Sequence, residues 1–243
     1  MDDYNKTQCP VCKNLRPEFM RWIESVNDVQ RILCAACDTI YFDRNPKEAP
    51  KYDMAYNKFF YRPGDIRKAG IMAAKLGNLI AGKWPNPNIL EAGSGNGLTV
   101  LLLRAMGFNT FGVDLDKNLS VFLMETFRIP IVTARFEEFN PPGKYHLIYS
   151  SHVIEHCKSP FAFMKRAFDL LEEGGIFYLD TPDTAYWQKE SGRWHHFTTR
   201  NPYEHCCLLG RRGIIILDRE IGFKSLVFEQ HPEYMSQQAL MIK

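Results

Sequence analysis

The sequence predicts an α/β protein: a doubly wound, mostly parallel sheet of seven strands, with a small cysteine-rich ribbon at its amino end. Three features carry this. From Pro85 onward, short apolar strand-like runs alternate with segments of helical periodicity, the pattern of a parallel sheet covered on both faces. The run Ile89-Leu90-Glu91-Ala92-Gly93-Ser94-Gly95-Asn96-Gly97 reads as a strand, a glycine turn and a helix start. Cys9-Pro10-Val11-Cys12 and Cys34-Ala35-Ala36-Cys37 repeat one CxxC spacing within the first forty residues.

Composition bounds the rest. The 243 residues are 45% hydrophobic and 24% charged, ordinary for a soluble globular protein with one large core and a small appended module. A net charge of +2 leaves no electrostatic footprint for a polyanion. No apolar run approaches the roughly 20 residues of a membrane span. The start MDDYNKTQC lacks the apolar core of a signal peptide. A cytoplasmic location follows as the expectation, and in a reducing compartment seven cysteines are read for metal before disulfides.

Two CxxC knuckles can bring four thiolates into the tetrahedral set that zinc prefers, so residues 1–45 are read as a zinc ribbon with Cys9, Cys12, Cys34 and Cys37 as ligands. Four protein thiolates leave no open position, which makes the metal structural, and a ribbon this small needs it to fold. Cys157, Cys206 and Cys207 lack such spacing and read as packing residues. In the ribbon Lys6, Lys13, Arg16, Arg21 and Arg31 interleave with Asp2, Asp3, Glu18, Glu24 and Asp28, so no clean positive face follows.

Residues 46–84 are read as a linker and helical lid: prolines at 46 and 50, the aromatics Tyr52, Tyr56, Phe59, Phe60 and Tyr61, then Pro63-Gly64 and a helix through Leu79. Pro85 and Pro87 lead into the first strand of a domain spanning 85–243. Asn109 to Val113 is the second strand, ending at Asp114. The helix after it is capped by Asp116 and buries Leu119, Phe122, Leu123, Thr126 and Phe127. Ile129 to Ala134 and Tyr145 to Tyr149 are the next strands, the latter ending in Ser150-Ser151. Ser159 caps a helix with Pro160 at its first position and Phe161, Met164, Phe168 and Leu171 on its apolar face, which Gly174-Gly175 is expected to end. Ile176 to Leu179 is the fifth strand, broken by Thr181-Pro182-Asp183. A helix around Arg212 to Ile221 and strands near Lys224 to Glu229 and Ala239 to Ile242 close the chain.

The glycine turn is a cofactor cradle of a particular kind. A dinucleotide fingerprint needs a third glycine where Leu98 stands, and Glu91 would repel a pyrophosphate. A carboxylate there suits the ammonium and sulfonium charges of S-adenosylmethionine, whose adenosine needs the same close backbone. Asp114, about 20 residues beyond the turn, can accept both ribose hydroxyls. The chemistry is therefore read as methyl transfer.

With EAGSGNG, GVDLD, YHLIYSSHVIEH and GGIFYLDTPD in this order, residues 85–243 resemble the class I S-adenosylmethionine-dependent methyltransferases. Within them, the IEH after the fourth strand and the EHC at Glu204 to Cys206 are similar to the branch of ubiquinone-type and small-molecule O-methyltransferases. The resemblance implies a Rossmann-like sheet of seven strands with a reversed last strand. It implies that Glu91, Gly93, Ser94, Gly95, Asn96 and Gly97 hold the methionine end of S-adenosylmethionine. Asp114 would bind the ribose, Leu115 is a further cofactor-binding residue, and Ser150 would lie beside the methionine moiety. Many relatives carry an aspartate after the third strand that contacts adenine; here Ala134-Arg135-Phe136 stands in that place, and Phe136 is taken as the stacking residue.

An acceptor oxygen or nitrogen must lose a proton, and histidine is matched to accept it near neutral pH. His152 and His156 after the fourth strand, and His195 and His196 in SGRWHHFTT, are the candidates; a scaffold role for the first pair and a substrate wall for the second are the alternatives. His146 and His231 lie on strand-like segments and read as structural, and Glu155 as a capping or salt-bridge residue. A small-molecule acceptor is the leading reading, with no membrane partner. The alternatives are an oxidoreductase, a ribbon that binds nucleic acid or protein on a methyltransferase-like fold, and a nucleic-acid methyltransferase, although the NPPY-type motif of amino-directed base methylation is absent where Ser150-Ser151-His152 stands.

Overall fold

The computed structural model describes residues 8–26, 29–42, 62–186, 205–231 and 236–243. In chain order the elements are β1 (Met20–Val26), β2 (Val29–Cys34), β3 (Thr39–Phe42), α1 (Pro63–Ile80), β4 (Asn88–Ala92), α2 (Leu98–Ala105), β5 (Asn109–Asp114), α3 (Lys117–Phe127), β6 (Ile131–Thr133), β7 (Tyr145–Ser151), α4 (Pro160–Leu170), β8 (Leu171–Pro182), β9 (Cys207–Leu208), α5 (Arg211–Ile221), β10 (Ser225–His231) and β11 (Ser236–Ile242). Seven strands form one mostly parallel sheet in the order β10-β11-β8-β7-β4-β5-β6, and four form a second in the order β1-β2-β3-β9. No helix among the described residues is long and apolar enough to cross a membrane. The chain clusters into two compact units.

One unit comprises residues 51–151, 166–179 and 242–243. Its centre is β4, parallel to β5 on one side and to β7 on the other, with β6 parallel to β5. Ile89, Leu90, Leu147 and Ile148 are fully buried, as strands covered on both faces require. Helix α1 starts with a proline in its first turn, where the missing N–H costs nothing, and buries Ala69, Ala73, Leu76 and Ile80 along one stripe. Val100, Leu119, Leu123, Ile129 and Ile131 form one apolar cluster. Asp116 caps α3, its carboxylate accepting the Leu119 N–H at 2.9 Å.

The expected glycine stop at Gly174-Gly175 is corrected: α4 ends at Leu170, and Leu171 already opens β8. The two glycines sit inside a strand, where the Gly174 N–H donates to the Lys243 carbonyl at 3.1 Å and the Gly175 carbonyl accepts the Lys243 N–H at 3.0 Å. A Cβ at Gly175 would come within 2.8 Å of the Glu172 carbonyl oxygen. Close backbone approach in a bulged strand, and not helix capping, is what these glycines permit.

The other unit comprises residues 1–50, 152–165 and 180–241. Here β1, β2 and β3 form an antiparallel meander, Met20 facing Cys34 and Cys34 facing Thr39. A fourth strand absent from the sequence reading, β9, joins antiparallel to β3, with Ile40 opposite Leu208 and Tyr41 opposite Cys207. Leu33, Ile40 and Leu208 close a small core between them. Helix α5 buries Ile214, Leu217 and Ile221 and ends at Gly222, whose φ of 97° is the left-handed turn that favours glycine.

Candidate active site

The turn after β4 bends through three left-handed residues, Gly93, Gly95 and Gly97, at φ of 76°, 48° and 70°. The bend is fixed by the neighbouring strand: the N–H groups of Gly93 and Ser94 both donate to the Val113 carbonyl, at 2.8 and 3.1 Å. The Gly95 N–H donates to Asp114 Oδ2 at 2.8 Å, while Asp114 Oδ1 accepts the Asp116 N–H at 2.9 Å. Asn96 Oδ1 accepts the Leu98 N–H at 3.1 Å, closing the first turn of α2. A Cβ added at Gly95 would meet nothing within 4 Å, so the backbone there borders open space.

Two buried carboxyl groups line this cradle. Glu91 is 6% exposed. Its Oε2 has no hydrogen-bond partner among the described residues, and neither has the buried Ser94 Oγ. Burial pushes the Glu91 carboxyl up to about 8 against the pull of the Thr99 hydroxyl and the Val100 N–H, and Asp114 is raised by burial too. A buried carboxyl that must ionise to hold a cation, and a second at the end of the next strand, beside a glycine backbone bordering open space, fit the methionine and ribose ends of S-adenosylmethionine.

Ser150 is fully buried and its hydroxyl donates to the Ala92 carbonyl at 3.1 Å, stitching the end of β7 to the end of β4. Leu115 is half exposed beside Asp114. Phe136 opens a short 3₁₀ turn and is buried, and Arg135 before it pairs with Glu138 at 3.6 Å.

A second cluster follows β7. His152 holds a φ of 53°, rare for a residue with a side chain, and its N–H donates to the Asp180 carbonyl at 2.9 Å. Its Nδ1 lies 3.2 Å from Oε1 of Glu155, which is fully buried, and the Thr181 hydroxyl donates to Glu155 Oε2 at 3.2 Å. Burial pushes the Glu155 carboxyl up, but the close approach of His152 and the charges of His152, His156 and His205 outweigh it and hold it at about 2. His156 meets His205 edge to face at 4.8 Å between ring centres. Burial holds His205 down at about 4, so it is neutral near pH 7. The ligating atoms of Glu155, His156 and His205 lie within 4.8 Å of one another, a set that could also hold a divalent cation.

His205 is not among the residues the sequence points to, although it lies within the EHC segment at Glu204 to Cys206. His195 and His196 lie outside the described residues, as do the aromatic stretch of the expected lid and Trp194. His146 is a scaffold residue, its Nδ1 accepting the Asn88 N–H at 3.0 Å and its ring tilted on Trp84.

The four ribbon cysteines converge. Cys9 and Cys37 Sγ are 3.5 Å apart and Cys12 and Cys34 Sγ 3.6 Å, and all four sulfurs lie within 4.8 Å. Tetrahedral zinc at 2.3 Å from each sulfur sets its ligands about 3.8 Å apart, so the set fits. Without a cation the four thiols cannot all ionise. Burial pushes Cys34 up to about 12, the hydrogen bond with Cys37 raises Cys9 still further, and that same bond brings Cys37 down to about 5.

The family described as "Methyltransferase domain" matches residues 60–227, more than half of the chain. The protein belongs to the methyltransferase-domain family. The chain is 33% identical over 149 residues to the ubiquinone biosynthesis O-methyltransferase of Paramagnetospirillum magneticum, a match that covers 53% of this chain and 59% of that one. The fold resembles a SAM dependent methyltransferase from Archaeoglobus fulgidus, with a TM-score of 0.56 and 14% identity over 72% of this chain and 94% of that one. It also resembles the magnesium protoporphyrin IX methyltransferase of Synechocystis PCC 6803 with bound SAH, with a TM-score of 0.56 and 15% identity over 82% of this chain and 90% of that one.

Proposed function

We propose that this methyltransferase moves the methyl group of S-adenosylmethionine onto an oxygen or nitrogen of a small organic acceptor, with His152 as general base. The observation that carries the cofactor is the buried, unpartnered carboxyl oxygen of Glu91 against the glycine turn: once ionised it needs a cation, and a pyrophosphate would be repelled. When bound, S-adenosylmethionine supplies an activated methyl group on a sulfonium. Glu91, Gly93, Ser94, Gly95, Asn96 and Gly97 hold its methionine end, Asp114 and Leu115 its ribose, and Phe136 stacks on its adenine. Ser150 fixes the strand end beneath them. His152, oriented through Nδ1 by Glu155, takes the proton that the acceptor gives up, and His156 supports the same carboxylate. His152 directly follows β7, and open α/β sheets bind ligands beyond the carboxyl ends of their strands.

An oxygen acceptor is favoured, since the relative from Paramagnetospirillum magneticum is an O-methyltransferase. Residues 1–45 form a ribbon around one structural zinc on Cys9, Cys12, Cys34 and Cys37, and residues 85–243 are the catalytic domain of a cytoplasmic enzyme. The test is calorimetry with S-adenosylhomocysteine, followed by a screen with isotopically labelled methyl donor over phenols, sugars and amines. Micromolar binding and label in one acceptor class are the expected results. Binding of a nicotinamide cofactor without S-adenosylhomocysteine would overturn the reading.

A further inference from the structure

We propose that the zinc ribbon is a positioning element for the histidine–glutamate cluster: β3 of the ribbon holds β9, and β9 delivers His205 to Glu155 and His156. This rests on the reading that the cluster serves transfer, and the test below separates the two.

The argument starts from the size of β9. A two-residue strand has no stability of its own, and within its sheet β9 lies at the edge, paired to β3 alone. His205 stands two residues before Cys207, a span of at most about 7 Å of chain, so the pairing of Cys207 with Tyr41 dictates where the His205 ring can reach.

The second cysteine knuckle grips the chain just after β9 as well. Asp38 follows Cys37 at a φ of 58°, its N–H donating to the Cys34 carbonyl at 2.8 Å, so its place is set by the knuckle. Its carbonyl accepts the Thr184 hydroxyl at 2.8 Å. Gly210 approaches so closely that a Cβ would stand 2.4 Å from the Asp38 oxygen, and one at Gly213 would stand 2.7 Å from Thr39 Oγ1, which itself lies 3.1 Å from Cys37 Sγ. On the far side, Gln237 Nε2 donates to the Leu209 carbonyl at 2.8 Å. Residues 205–213 are thus threaded along the knuckle that zinc would close. The metal then has a task beyond folding the ribbon, because the loop entropy it removes from Cys34–Cys37 is removed from the seat of His205 too.

Gly210→Ala is the deciding variant. Gly210 has φ −84° and ψ 163°, which any residue adopts, so the added methyl acts only by pushing on the Asp38 backbone. We expect zinc content to stay at one per chain and S-adenosylhomocysteine affinity to stay within about twofold, since residues of the other unit form that cradle. Amide exchange over residues 205–209 should rise about tenfold or more, and the His205 ring proton resonance should lose the shift imposed by the His156 ring. With an acceptor returned by the screen above, kcat should fall about 10- to 100-fold at unchanged KM for the methyl donor. Zinc removal by a chelator should give the same changes at 205–209. Normal protection and an unchanged His205 resonance in both the zinc-free protein and Gly210→Ala would overturn the proposal. If Gly210→Ala loses cofactor binding through general unfolding, Thr184→Val, which removes only the hydroxyl on the Asp38 carbonyl, decides by the same readouts. Should His152→Ala leave transfer intact while the exchange pattern appears as expected, the catalytic reading fails and the positioning stands.

Discussion

His152 Nδ1 stands 3.2 Å from Oε1 of Glu155, a carboxylate wholly shielded from water, at the end of the strand that runs beside the cofactor-cradle strand. A buried carboxyl beside one ring nitrogen orients an imidazole, the arrangement that general-base catalysis needs. We expect His152→Ala to lower kcat by about 10²- to 10⁴-fold with S-adenosylhomocysteine affinity unchanged. Glu155→Gln should lose less rate. Steady-state rates and calorimetry on the same preparations check this; a matched loss of cofactor binding would mean the histidine acts on structure.

The same cluster sets acid sensitivity. Burial holds His205 at about 4 against 6.5 for the free side chain, so the fold favours its neutral form. That stability is present above pH 6.5 and is lost as pH falls through 4. Glu155, held at about 2 against 4.5, adds a second loss between those two values. Urea unfolding at pH 7, 5.5 and 4 should show the first decline, on the order of 2–3 kcal/mol, and His205→Gln should remove it.

Glu91 gives the cofactor a pH dependence of opposite sense. With its carboxyl pushed up to about 8 by burial, the empty cradle stores a proton near neutrality, and its contribution to stability is lost as pH rises through 8. A cationic ligand needs the ionised form. Affinity for S-adenosylmethionine should therefore climb with pH, approaching tenfold per unit, and level off above about 8. Binding should release a proton, measured by calorimetry in two buffers of different ionisation enthalpy; Glu91→Gln should abolish the slope.

Asp114 anchors the turn, and the proposed function gives it the ribose. Asp114→Ala should weaken S-adenosylhomocysteine binding by about 1–3 kcal/mol while the protein remains folded, because one change removes the acceptor of the Gly95 N–H and of the ligand hydroxyls. Unchanged affinity would place the nucleoside elsewhere.

Zinc removal should lower Tm, by about 2–4 °C for each kcal/mol lost, and Cys34→Ser should do the same. Uptake of zinc should release protons and weaken as pH falls, since Cys9 and Cys34 start protonated. Equal melting with and without metal, read by calorimetric scans, would remove the ribbon's metal from the account.

The glycine turn was legible in the sequence because its cause is local: three positive-φ glycines between a strand and a helix, with Asp114 tied to the turn by a backbone hydrogen bond. The CxxC pairs and the Asp116 cap were legible for the same reason. What escaped notice was non-local. A two-residue strand has no periodicity to detect, so β9 gave no signal, and His205 reaches Glu155 across about fifty residues of chain. The end of α4 was misjudged because Gly174-Gly175 carries the signature of a helix stop, while the pairing of those residues with Lys243 depends on the far end of the chain.

The seat of β9 against β3 has a practical consequence for dissecting the protein. A shortened polypeptide beginning beyond Phe42 would leave Cys207 and Leu208 with bare backbone groups and an uncovered apolar side chain. Removing the first forty-two residues is therefore expected to expose this edge to association, and the chain is better studied by point substitution than by cutting.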